Sequence, residues 1–308
     1  MGASGWWTTW SRISASWSTS EPGPTIASTV LGWVRLTHPF PSVLDGVVSG
    51  IVAGLAGGSP GLAIRIGVAM TLLQLGIGTV NDLVDARLDA GLKLGKPIPA
   101  GLVGPRPARL LAATLFSSGV LLAATVSTLS GALAGVVIGI GLAYDLRLKG
   151  TAWSWLPFAV GIPVLPIFGW VGVTGSLDPA FAVIVPVAVA AGAALAIGNA
   201  LVDLERDEVA GASSIAVALG PRRASRVATA LLVAVASVAL VTAALASLGP
   251  EPIAAIGLAG AVPALAAFRS GSRPPDDRER AWQAEAVGLA ILAALWLATV
   301  MGPGRPRG

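Results

Sequence analysis

The feature that most constrains this chain is a succession of long apolar runs, rich in Ala, Val, Leu and Ile, filling most of the stretch from residue 41 to residue 301. A helix that crosses a bilayer needs about 20 mostly apolar residues. By that rule the runs predict about nine spans, at 41–58, 61–81, 107–128, 131–146, 153–174, 180–202, 224–246, 252–268 and 283–301. Only 12% of the 308 residues are charged, against about 25% in an ordinary soluble domain. That is too little polar surface to cover a water-facing globule, so the expected fold class is an all-α integral membrane protein. The 39 Gly and 22 Pro are scattered through the runs without a collagen-like period, and glycine is common in membrane spans.

The basic residues test this map independently, because short cytoplasmic loops carry an excess of Lys and Arg. Fifteen of the 20 fall in the loops after the second, fourth, sixth and eighth runs. The alternate loops, near 128–131, 174–178 and 248–252, carry none. This pattern predicts a cytoplasmic N-terminus, four cytoplasmic basic loops and an outside C-terminus, with the cell membrane as the expected location. The net charge of +4 is spread by topology rather than gathered on one soluble face, so no nucleic-acid partner is expected. Residues 1–34 read as a disordered or interfacial tail, with Trp6, Trp7, Trp10 and Trp17 resting at the membrane surface and no apolar signal-peptide core. Residues 35–302 form the transmembrane domain, and 303–308 a short C-terminal tail.

The absence of cysteine excludes thiol catalysis, disulfides, Fe–S clusters and cysteine zinc sites. His38 is the only histidine. A metal site must therefore use oxygen ligands, which favours a hard cation such as Mg²⁺. Such oxygens occur in two places. The second run ends in Asn81-Asp82-Leu-Val-Asp85-Ala-Arg-Leu-Asp89, and the sixth in Asn199 followed by Asp203, Glu205, Asp207 and Glu208. Asp82, Asp85 and Asp89 share one helical face, although a helix C-terminus and like charges at this spacing both disfavour them. Seven of the 16 acidic residues lie in these two segments, each at the same end of its span, and ionisable groups at membrane depth mark function by default. The expectation is two carboxylate faces that hold Mg²⁺ between them and leave coordination positions for phosphate oxygens.

Two basic segments support a phosphate ligand. Lys93-Leu-Gly-Lys96-Pro97-Ile-Pro99 forms a stiffened loop with two ammonium groups, and Tyr144-Asp145-Leu-Arg147-Leu-Lys149 ends the fourth run on the same side. Their cations are candidates for neutralising a diphosphate leaving group.

In the order N-D-L-V-D-A-R-L-D, K-P-I-P-A-G, Y-D-L-R-L-K and D-L-E-R-D-E-V-A-G, with a later L-G, the chain resembles the UbiA superfamily of intramembrane prenyltransferases. The motifs run from about Arg35 to Gly220, and the span count agrees to the C-terminus. The resemblance implies nine transmembrane helices around a central cavity, with Mg²⁺ and a prenyl diphosphate held on the cytoplasmic side. It implies Asp82, Asp85, Asp203 and Asp207 as catalytic residues, with Asp89 joining them as metal ligand. Asn81, Lys96, Tyr144, Arg147, Lys149 and Asn199 would bind the diphosphate. After Asp207, where members often have basic residues and then Thr, this chain has Gly211-Ala212-Ser213-Ser214. Arg35 stands near the first span, where members often have an Arg, while His38 reads as an interface residue, with contact to an acceptor carboxylate as the alternative.

The implied reaction moves a prenyl group onto a small acceptor, usually aromatic, through an allylic cation shielded from water. Two alternatives use the same motifs: a membrane terpene cyclase, and transfer to a non-aromatic phosphorylated acceptor. A membrane carrier would instead place its charges near mid-membrane. An aromatic content of only 6% predicts no rich aromatic lining, and Trp153, Trp155 and Trp170 read as an interfacial belt.

Overall fold

The computed structural model describes residues 25–90 and 95–301. Within them the chain forms twelve α-helices, a five-residue π turn and no strand. The helices are α1 (Ile26–Leu36), α2 (Pro39–Leu55), α3 (Pro60–Asp89), α4 (Pro105–Ala124), α5 (Thr128–Ala143) and α6 (Leu156–Thr174). They continue as α7 (Phe181–Val202), α8 (Leu204–Val209), α9 (Ile215–Leu219), α10 (Pro221–Leu245), α11 (Pro250–Ser270) and α12 (Pro275–Met301). Eight spans are long and apolar enough to cross a membrane, α5 among them only together with the π turn that continues it to Leu148. The ninth expected span is α2, whose 17 residues reach about 25 Å, near the lower limit for crossing.

Local chemistry sets the helix starts. Pro39, Pro60, Pro105, Pro221, Pro250 and Pro275 each open a helix, where the missing N–H would have had no intrahelical partner. The side chains of Ser59 and Ser127 accept the backbone N–H groups of Leu62 and Ser130, capping α3 and α5. Between α4 and α5, the expected break near Ser130 is a real turn over Thr125–Ser127.

Three boundaries depart from expectation. Residues assigned to the tail are helical from Ile26 onward, because Thr25 caps α1 and its Leu36 is fully buried. The four Trp residues near the N-terminus lie outside the described residues. Helix α3 continues through Asp89, past the expected span end at 81, so the first acidic motif lies on one unbroken helix, as its expected shared face demands. Helix α12 starts at Pro275, bringing Arg278, Glu279 and Trp282 onto helix.

Burial has the polarity expected in lipid. Large apolar groups such as Leu110 and Leu258 are about 70% exposed, whereas alanine dominates the buried positions of α10. Two apolar cores result. One joins α7 to α10, α11 and α12, and the other joins α3 to α5 and α6. A third, smaller cluster of Leu36, Ile98, Val103 and Ala108 ties α1 to the loop after α3. Helices α6 and α7 pack against each other, and a cavity opens between the two large cores.

Candidate active site

The cavity has a volume of about 1040 Å³ and is lined from α2, α3, α5, α6, α7 and α12, together with the loop at Gly95–Pro97. Both acidic motifs reach it. Asn81, Asp82 and Asp85 line one wall, and Asn199 and Asp203 line another. Asp89 and Asp207 are buried behind that surface.

Cations from three separate segments hold the carboxylates. Lys96 is placed by the apolar cluster under its loop and by turn bonds from Ala100 N to the Lys96 carbonyl and from Leu102 N to the Pro97 carbonyl, both 3.0 Å. Its Nζ donates to Asp82 Oδ1 at 2.5 Å and lies 3.8 Å from Asp89 Oδ2. Lys149 follows the π turn Tyr144–Leu148 and donates to Asp85. The wider π turn is common at functional sites. Here it sends the Tyr144 ring and the Lys149 ammonium to the same cavity.

Arg206, on α8, ties the two motifs together. One guanidinium nitrogen sits 3.0 Å from Asp89 Oδ1 and 3.7 Å from Asp85 Oδ2. The other sits 3.0 Å from Asp203 Oδ2 and 3.5 Å from Asp207 Oδ1. Burial disfavours the charged form of Arg206, but Asp203, Asp85, Asp89 and Asp207 together outweigh it and hold the guanidinium above the usual arginine range. One internal cation thus does the bridging that the sequence assigns to metal, and among the described residues no three acidic or histidine side chains converge as metal ligands. The donor set nevertheless fits a hard cation. It is all oxygen, and Asp82 Oδ2 and Asp89 Oδ2 are buried with no hydrogen-bond partner among the described residues, which is costly unless a ligand answers them.

His38 departs from its expected interfacial role. Its Nε2 lies 2.7 Å from Asp82 Oδ1, and its backbone is left-handed at φ 49°, a conformation that costs a non-glycine residue about 1–2 kcal/mol. Gly78 permits the approach. A Cβ at that position would stand 2.8 Å from the Thr37 carbonyl oxygen and 3.0 Å from His38 Cβ.

The remaining expected residues divide. Asn81 donates to Asp145 at 2.8 Å, and Asn199 reaches the Tyr144 hydroxyl at 3.5 Å. Arg147 is exposed on the π turn and does not line the cavity, because the turn points Tyr144 and Lys149 inward instead. Lys93 lies outside the described residues. The low aromatic count also misleads, since folding gathers Phe40, Tyr144, Phe158 and Trp282 onto the cavity wall. Tyr144 and Phe158 meet edge to face at 5.5 Å. Trp170 is buried against Phe181 rather than placed in a belt, whereas Trp153 is exposed. Sequence reasoning left Asp145 and Arg278 without a site role. Arg278 donates to the Leu201 carbonyl at 3.2 Å and to Glu205 at 2.7 Å, which secures the end of α7 beside Asp203. Its place on a helix rather than in a loop was the missing signal.

Comparison with known proteins gives one consistent result. Residues 46–298 match the model of the UbiA prenyltransferase family. Two relatives are each described as a digeranylgeranylglyceryl phosphate synthase. The protein of Methanopyrus kandleri is 32% identical over 56% of this chain and 64% of its own length. That of Methanothrix thermoacetophila is 27% identical over 74% and 83%. The chain therefore spans slightly less than two thirds of the first relative. Among solved structures, a UbiA homologue from Archaeoglobus fulgidus bound to GPP and Mg²⁺ superposes with a TM-score of 0.67 at 19% identity, over 87% of this chain and 99% of that one. At that identity the likeness establishes the fold.

Proposed function

The chain belongs to the UbiA prenyltransferase family, and we propose that it moves a prenyl group from an isoprenoid diphosphate to a hydroxyl of a phosphorylated glycerol acceptor, releasing diphosphate. The observation that carries the donor half is the meeting of two carboxylate motifs, from α3 and α7, in one cavity ringed by Lys96, Lys149 and Arg206. For the acceptor, the expectation of an aromatic ring finds no support among the relatives, which are named for a glyceryl phosphate product. Arg35 favours the same reading. It lines the cavity and forms no ion pair with any described residue, leaving its guanidinium for a second phosphate.

Mg²⁺ bound by Asp82, Asp85 and Asp203, with Asp89 and Asp207 behind them, would neutralise charge on the departing diphosphate. The chain's own groups do the rest. Lys96 and Lys149 turn from their carboxylates toward diphosphate oxygens, and the Tyr144 hydroxyl donates to the leaving oxygen. The faces of Tyr144, Phe158 and Trp282 meet the allylic cation as the C–O bond opens, an attraction of the cation–π kind. Beyond Asp45 and Trp282 the wall passes into an apolar pocket of about 150 Å³, which excludes water and begins the path of the isoprenoid tail. We place the motif-bearing end on the cytoplasmic side of the cell membrane, a reading supported by the basic loops.

The test is to reconstitute the protein with geranyl, farnesyl and geranylgeranyl diphosphates and Mg²⁺, offering a prenylated glycerol phosphate, an aromatic acid or no acceptor. Mass spectrometry should find an ether product and diphosphate release only with the glycerol phosphate. Exclusive transfer to the aromatic acid would overturn the acceptor assignment, and a hydrocarbon formed without acceptor would identify a cyclase.

A further inference from the structure

The reaction leaves one proton unassigned. When the donor C–O bond breaks, the diphosphate keeps the bonding electron pair. When the acceptor oxygen bonds to the prenyl carbon, that oxygen must lose its hydrogen. The carboxylates of the two motifs are engaged by cations and serve the diphosphate end. A different acid stands farther in.

Asp45 lies on α2, seven residues after His38. The rise along the helix puts it about 10 Å from the level of His38, and both residues line the outer chamber. Its carboxylate lines both chambers, sharing the dividing wall with Pro41, Phe158, Ile162, Leu165 and Trp282. Every other described residue lining the inner pocket is non-ionisable. The Asp45 carboxylate has no hydrogen bond or ion pair with any described residue. Glu285, the comparable acid on α12, is wholly buried and lines neither chamber. A prenyl diphosphate with its phosphates at Asp82 and its tail in the inner pocket keeps its first carbon in the outer chamber, which Asp45 also lines, and carries its chain past this wall. An unpaired acid inside a membrane domain is expensive and marks function by default.

We propose that Asp45 is the general base of the reaction, accepting the proton from the acceptor as the new bond to the prenyl carbon forms. The proposal rests on prenyl transfer but not on the acceptor class, since an alcohol oxygen and an aromatic carbon each shed one proton.

The decisive variant is Asp45→Asn, which keeps shape and removes basicity. The donor carries ¹⁸O in the bridging position, so reversible ionisation is read as migration of the label into non-bridging positions, separately from product. In Asp45→Asn, label migration should persist while transfer falls by about 100-fold or more, the usual contribution of a general base. Asp45→Glu should recover part of the transfer. Transfer within twofold of the parent would overturn the proposal. Equal loss of migration and transfer would also overturn it, by assigning Asp45 to donor binding. Both acceptor classes are run with the parent protein. Product from the aromatic acid alone would reject the glycerol phosphate reading, while the ratio of variant to parent on that acid would still decide Asp45.

Discussion

At the scale of single residues, the site is a set of buried charges that compensate one another, and each can be removed with a defined result. Asp82→Asn and Asp203→Asn should each lower turnover by about 100-fold or more, because each removes charge that the diphosphate end needs. The amount of folded protein extracted in detergent should stay near that of the parent, and turnover per mole of folded protein is the measurement. Arg206→Gln has a different signature. It leaves Asp85, Asp89, Asp203 and Asp207 without their shared partner, and breaking a buried pair costs about 3–5 kcal/mol. Its metal-free melting temperature should fall by about 5 °C or more, and Mg²⁺ should raise it by more than in the parent, since a ligand of the folded state stabilises by mass action. Asp82, Asp85 and Asp203 were legible in the sequence as acids where acids are costly. The bridging of both motifs by Arg206 was not, because a contact between residues 117 apart in the chain leaves no local pattern.

Among the elements, the joint between α1 and α2 controls the site through one glycine. A side chain at position 78 would meet the Thr37 carbonyl, a backbone atom that cannot rotate away. Gly78→Val should therefore push His38 off Asp82 and weaken donor binding. An increase in KM for the prenyl diphosphate of about tenfold, with a smaller change in kcat, is the expected result, and an unchanged KM would refute the coupling. The span pattern was readable because apolar length is set by the bilayer itself. The left-handed turn at His38 was not, since it depends on Gly78, forty residues away, and on the proline that follows. The π turn at Tyr144–Leu148 was likewise hidden. Sequence periodicity treats Arg147 and Lys149 alike, and only the turn sends one outward and the other to Asp85.

For the whole molecule, the absence of cysteine provides a clean background for topology. Ser127→Cys, Ser176→Cys and Ser247→Cys lie in loops without Lys or Arg, whereas Ser272→Cys lies in a basic one. In intact cells a membrane-impermeant maleimide should label the first three, and should label the fourth only after permeabilisation. The reverse pattern would invert the orientation. The basic loops predict this map from the sequence alone, while the division into two cores with a cavity between them required the packing of α6 on α7. The 30 residues of α3 bear on substrate supply. A straight helix of that length runs about 45 Å, beyond a hydrocarbon core of about 30 Å. With its apolar start in the hydrocarbon core, its acidic end would reach headgroup level. Moving a prenyl chain into water costs about 0.8 kcal/mol for each CH₂ group, so an enzyme that meets its donor at this depth needs no carrier to lift the lipid out. On the proposed function, the bilayer is its reservoir, and its rate should follow the mole fraction of donor in the membrane rather than its concentration in the surrounding water.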